Sequence, residues 1–151
     1  MNIIFFNLYG LNGALIDALE YFLYLKSIGC NVQLVLFIND RSCDISYIHK
    51  IIDDRYNIDF DYKNDIITKK SKGSIMEYSG NTMMILDWGT FIGIEIIPSL
   101  WKNIILWFDY KKGIYDKYKK LDRFDNVRIF KEMSYNYGID YKFKFAFDLY
   151  K

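Results

Sequence analysis

The feature that most constrains this chain is a pair of short apolar runs joined by an amphipathic helix. Ile3 to Phe6 and Val32 to Ile38 are almost wholly apolar. Between them Leu15, Ala18, Leu19, Phe22 and Leu25 recur at helical spacing. Short runs without polar alternation are expected to be strands covered on both faces, the usual condition of a parallel sheet. Asn12 or Gly13 is placed to start the helix and Gly29 to stop it. Asp17 and Glu20 lie early and Lys26 late, as the helix dipole favours. The first forty residues therefore read as a βαβ unit with a right-handed crossover. A doubly wound α/β domain begins this way, and such domains bind ligands beyond the carboxyl ends of their strands.

The remaining sequence continues the pattern. Asp44 is expected to cap a helix carrying Ile45, Ile48, Ile51 and Ile52. Ile58, Phe60 and Tyr62 alternate with Asp59 and Asp61, which suggests a half-exposed edge strand. Lys69 to Gly73 reads as a surface loop, with one helical turn near Ile75 to Tyr78. Strands are expected at Thr82–Leu86, Ile104–Phe108 and Val127–Phe130. Pro98 opens a short helix through Trp101, and Ile114 to Leu121 forms another. Phe143, Phe145 and Phe147 alternate with Lys144 and Ala146, as in a short strand laid against the sheet. No internal repeat or interior linker interrupts the chain. The expectation is one domain over 1–151, with a mostly parallel sheet of about six strands flanked by helices and no second domain.

Composition narrows the functional classes. At 151 residues, 52% hydrophobic and 19% aromatic, the chain can bury a sizeable core and is too apolar to be disordered. A net charge of +1 provides no global field toward nucleic acid or an anionic membrane, so neither is expected as a partner. The Lys69–Lys72 run reads as a solvated loop. Cys30 and Cys43 make no metal pattern, and without a secretory signal they are expected to be reduced thiols in a cytoplasmic protein. No apolar run is long enough to span a membrane. His49, the single histidine, sits among Ile48, Ile51 and Ile52, where a packing or surface role is expected. No nucleophile elbow, P-loop, zinc cluster or Ser-His-Asp arrangement is visible.

Chemistry is expected where the loops leave the strands. Asn7, Gly10, Asn12 and Gly13 follow the first strand, and the two glycines allow backbone N–H groups to approach a ligand at a helix N-terminus. Their spacing is not G-x-G-x-x-G, and Asp40 is too distant to serve as the acid of a dinucleotide fingerprint. The same glycines also suit a plain strand-to-helix turn. Asp87, Trp88, Gly89 and Thr90 follow a hydrophobic strand. A carboxylate there can accept sugar hydroxyls or act as a base, and the tryptophan can stack on a ring. Asp109 and Tyr110 repeat the pattern one strand later. Asp87 and Asp109 are the candidate catalytic carboxylates, although each can equally cap a turn.

The layout resembles the N-terminal, acceptor-side domain of two-Rossmann-domain (GT-B) glycosyltransferases. The resemblance rests on Asn2-Ile-Ile-Phe-Phe-Asn7 with the Gly10 to Gly13 loop, on Ile16 to Gly29 running into Asn31 to Leu36, on Lys102 to Asp109, and on Tyr141 to Lys151. It implies a Rossmann-like domain that binds a sugar or other hydroxyl acceptor, with Asp87 or Asp109 as the activating base. It also implies a nucleotide sugar as donor substrate, with no tightly bound cofactor or metal. Such enzymes carry a second Rossmann domain with an E-x₇-E donor motif, which this sequence lacks. The resemblance therefore implies a partner chain or a homo-oligomer. Two alternatives remain open: a stand-alone Rossmann-like protein binding a nucleotide or other small molecule without turnover, and a non-catalytic interaction protein.

Overall fold

The strands are β1 (Asn2–Leu8), β2 (Val32–Ile38), β3 (Ile66–Lys69), β4 (Gly80–Leu86), β5 (Trp101–Trp107) and β6 (Val127–Phe130). The helices are α1 (Gly13–Ser27) and α2 (Ile45–Arg55), with short 3-10 turns at Lys63–Asp65, Lys72–Glu77, Pro98–Leu100 and Lys119–Arg123. The computed structural model describes residues 1–8, 13–38, 43–86, 94–107 and 119–130. Within them all six strands are parallel and form one sheet in the order β3-β2-β1-β4-β5-β6. This is a Rossmann-like α/β fold, as the βαβ opening predicts.

β1 lies at the centre and feeds two cores by alternation. Ile4, Phe6 and Leu8 face α1 and α2, joining Leu15, Leu19, Phe22, Ile48 and Ile52. Ile3 and Phe5 face the other way, joining Phe37, Ile85, Trp101, Ile104 and Leu106. Phe5 stacks on Phe37 and meets Tyr78 and Trp101 edge-on, with ring centroids 5.5–6.2 Å apart. Such offset and T-shaped pairs add to the burial that holds the strands together. Ile75, Tyr78, Ile94, Ile96, Leu121 and Phe124 pack on this second face from the segments that connect the later strands.

Local signals explain the helix ends. Gly29 adopts φ +86°, which an L side chain resists. Its N–H donates to the Lys26 carbonyl and the Cys30 N–H to the Leu25 carbonyl, the paired bonds of a Schellman stop. Asp44 caps α2 by accepting from the Tyr47 N–H at 3.0 Å. Where α2 ends, the buried Tyr56 hydroxyl donates to Glu20 of α1 at 2.8 Å. Lys26, at the end of α1, pairs with Asp65 just before β3.

Several expectations need correction. Residues 58–62 form no strand; the edge strand is Ile66–Lys69, in register with Leu34–Phe37 of β2. Phe60 and Ile58 pack on the α2 side, and Tyr62 is anchored by its hydroxyl on Asp53, so the alternation reflects side-chain anchoring and not a ladder. Glu20, read from the sequence only as an acidic residue early in the helix, is buried. β5 begins at Trp101, inside the segment assigned to a short helix. The segments 114–118 and 143–147 lie outside the described residues, while 119–123 is a 3-10 turn.

Two predictions follow from this packing. A Cβ on Gly80 would lie 2.7 Å from the Met1 carbonyl oxygen, which the Asn81 N–H already engages at 3.0 Å. Gly80→Ala is therefore expected to cost about 1–3 kcal/mol, because backbone and not a flexible side chain must yield. Gly73→Ala, whose nearest contact is the Ser71 hydroxyl at 3.4 Å, is expected to stay within about 0.5 kcal/mol; urea unfolding midpoints compare the two. The second concerns Asp53, whose carboxyl is held below its ordinary pKa by the Tyr62 hydroxyl at 2.7 Å, with Lys63 adding to the effect. A folded-state pKa below the unfolded value of about 3.9 stabilises the fold above that value and is lost as pH falls through the folded one. The stability difference between wild type and Tyr62→Phe should therefore be full at pH 7 and shrink on acidification toward pH 3, read by urea unfolding at each pH.

Candidate functional site at the carboxyl edge

Because every strand is parallel, all six carboxyl ends lie along one edge of the sheet. The chain runs outward from β1 to β2 and β3 with α1 and α2 on one face. It then crosses to β4 and runs the other way through β5 and β6, with its connecting segments packed on the opposite face. β1 and β4 are neighbours, yet the chain leaves them in opposite directions. This reversal is a topological switch point, and open α/β sheets take their ligands beyond the carboxyl ends of the strands at such a point.

Two described features stand at that edge. α1 starts at Gly13, directly after the β1 loop, and no acidic residue occupies its first turn. The N–H groups and positive dipole end of a fifteen-residue helix thus face this edge, with no acidic side chain in the helix's own first turn. The other feature is Asn7, near the end of β1 and level with Phe37 of β2. It follows Ile3 and Phe5 on the second face of the sheet, in a row that is otherwise apolar. Its side chain is 5% exposed, and Oδ1 has no hydrogen-bond partner among the described residues. An unmet buried acceptor costs about 1–3 kcal/mol, so native structures seldom keep one without a reason.

Of the sequence candidates, the structure places Asn7 and the backbone of Gly13 at the same edge. Gly10, Asn12, Asp87, Trp88, Gly89, Thr90, Asp109 and Tyr110 lie outside the described residues. In sequence Asp87 follows Leu86, the last residue of β4, and Asp109 comes two residues after Trp107, the last of β5.

The other buried polar side chain, Glu20, was missed as a core residue. It lies one position from Leu19 and three from Leu23, both fully buried, so its helical phase already pointed inward. It belongs to the α1–α2 core and not to the edge. The Tyr56 phenol that donates to it is pushed above its ordinary pKa by burial and by the Glu20 carboxylate, and it stays a donor through the physiological range. His49 packs edge-on against Tyr62 on α2, with ring centroids 6.1 Å apart.

Among the described residues no group of three His, Cys, Asp or Glu side chains is arranged to hold a metal ion, and no helix is long and apolar enough to cross a membrane. Neither Cys30 nor Cys43 forms a disulfide. Comparison with known proteins finds no matching family model, no matching curated protein and no matching solved structure.

Proposed function

We propose that this domain binds a small hydroxyl-bearing ligand in the crevice between the carboxyl ends of β1 and β4, acting as the acceptor side of a GT-B-type glycosyltransferase. The observation that carries the reading is Asn7. A buried amide oxygen without a partner stands at the one place in the sheet where the topology calls for a ligand. The start of α1 supplies backbone donors beside it for the oxygens of the same ligand. Asp87 and Asp109, from the loops after β4 and β5, are the proposed bases for the acceptor hydroxyl. A carboxylate in that role must take a proton from the attacking oxygen as the glycosidic bond forms, the donor's bond from anomeric carbon to phosphate oxygen breaks and the nucleotide leaves with the bonding pair. The nucleotide sugar is brought by a second Rossmann-type domain, on this polypeptide or on another.

Thermal shift and calorimetry with simple sugars, nucleotide sugars and free nucleotides test the site. Sugar acceptors are expected to bind at millimolar to micromolar concentration, and Gly13→Val to weaken that binding at least about tenfold by crowding the helix start. Asp87→Ala should leave acceptor binding within a few fold while abolishing transfer in a reconstituted reaction with a donor domain. Binding of plain nucleotides that neither substitution alters would place the ligand elsewhere. Sugar transfer by the isolated domain would show that no donor domain is needed.

A further inference from the structure

The two buried polar side chains among the described residues differ in what they meet. Glu20 receives the Tyr56 hydroxyl inside the α1–α2 core. Asn7 Oδ1 is closed off from water and receives nothing from any described residue. The other positions of β1 on that face are Ile3 and Phe5; Phe37 of β2 is level with Asn7, and Ile85 of β4 is level with Phe5, one pair before it. An apolar side chain would satisfy this surface better than an amide does, so packing alone does not account for asparagine here.

We infer that Asn7 selects the ligand by its uncharged part: the amide oxygen receives a neutral O–H or N–H donor, so a hydroxyl or base N–H goes deepest in the crevice and a phosphate does not. This rests on the carboxyl edge being the ligand site. An oxygen acceptor can be satisfied only by a donor. A phosphate or carboxylate set against that oxygen would bring two negative ends together beside Phe5 and Phe37. A sugar hydroxyl and a nucleobase N–H offer the same neutral donor. The residue thus discriminates by hydrogen-bond polarity, and it does so at a standing cost to the unliganded fold.

The test compares wild type with Asn7→Leu and Asn7→Val by melting temperature and titration calorimetry, using D-glucose, N-acetylglucosamine, uridine, adenosine, inorganic phosphate and pyrophosphate as probes. Without any probe, at least one of the two variants is expected to melt about 2–5 °C higher than wild type, because the unmet acceptor is gone. At least one phosphate-free probe should bind wild type and lose about tenfold or more in affinity in that variant. A response to the sugars identifies a sugar hydroxyl as the donor, and a response to the nucleosides a base edge. Lower melting temperatures in both variants would overturn the inference, as would a failure of every phosphate-free probe to bind at millimolar concentration. Binding of phosphate or pyrophosphate that depends on Asn7 would also overturn it. A sugar bound equally by wild type and the Asn7 variants, yet lost in Gly13→Val, would remove this inference and leave the crevice reading intact. Binding untouched by substitutions at both positions would remove the crevice reading as well.

Discussion

Everything in this fold depends on β1 being paired on both sides and covered on both faces. Its register with β2 and with β4 fixes the centre of the sheet, and its alternate residues supply both cores. A strand so placed cannot shift by one residue without exchanging its two apolar sets, so register and face are set together. The order of the remaining strands then follows from right-handed crossovers. Two run outward over α1 and α2 on one face, and the return to β4 places the later connections on the other. The switch point between β1 and β4 is thus a consequence of chain direction at β1.

The same constraint makes Asn7 informative. Along β1 the second-face positions read Ile3, Phe5, Asn7, and the alternation turns polar at the residue where the strand reaches the carboxyl edge. Burial is retained at this position, with 5% exposure, so the amide is not a surface residue that happens to end a strand. Glu20 makes the contrast clear. There a carboxyl inside the helical core receives a tyrosine hydroxyl from the end of α2. The described contacts differ at the two sites: the Tyr56 hydroxyl donates to Glu20 Oε1, whereas no described residue donates to Asn7 Oδ1.

How much of this was legible in the sequence depended on what each element asked of its side chains. β1, α1 and β2 were readable because burial on both faces demands continuous apolar runs and because Gly29 closes the helix with a left-handed residue that few others tolerate. The amino ends of β4 and β5 were not, because Gly80 and Asn103 pair through backbone groups while the side chains of Gly80, Asn81, Lys102 and Asn103 make no apolar run. β3 was misplaced for a related reason. Ile58, Phe60 and Tyr62 carry the period of a strand but are held as separate anchors on α2, whereas Ile66 and Ile67, one turned to each core, make the actual edge. At the site, the edge followed from topology alone. Asn7 was visible as a polar residue near a strand end, but no sequence pattern states whether an amide will find a donor once the chain has folded.

That last gap explains why a site of this kind resists reading by motif. Phosphate-binding loops announce themselves because several glycines must sit at fixed spacing for backbone N–H groups to converge on an anion. A neutral donor needs one acceptor in a closed place, and one residue has no spacing. Gly10 and Gly13 without a third glycine, and Asp40 far along the chain, are a poor dinucleotide fingerprint. They remain compatible with a crevice whose deepest contact is a single amide oxygen. In that arrangement the helix start contributes field and backbone donors, the sheet contributes an apolar floor, and discrimination falls to the residue that gives up folding energy to keep an acceptor unpaired. On the proposed reading, stability and recognition oppose each other at position 7, where a buried amide oxygen meets no described donor.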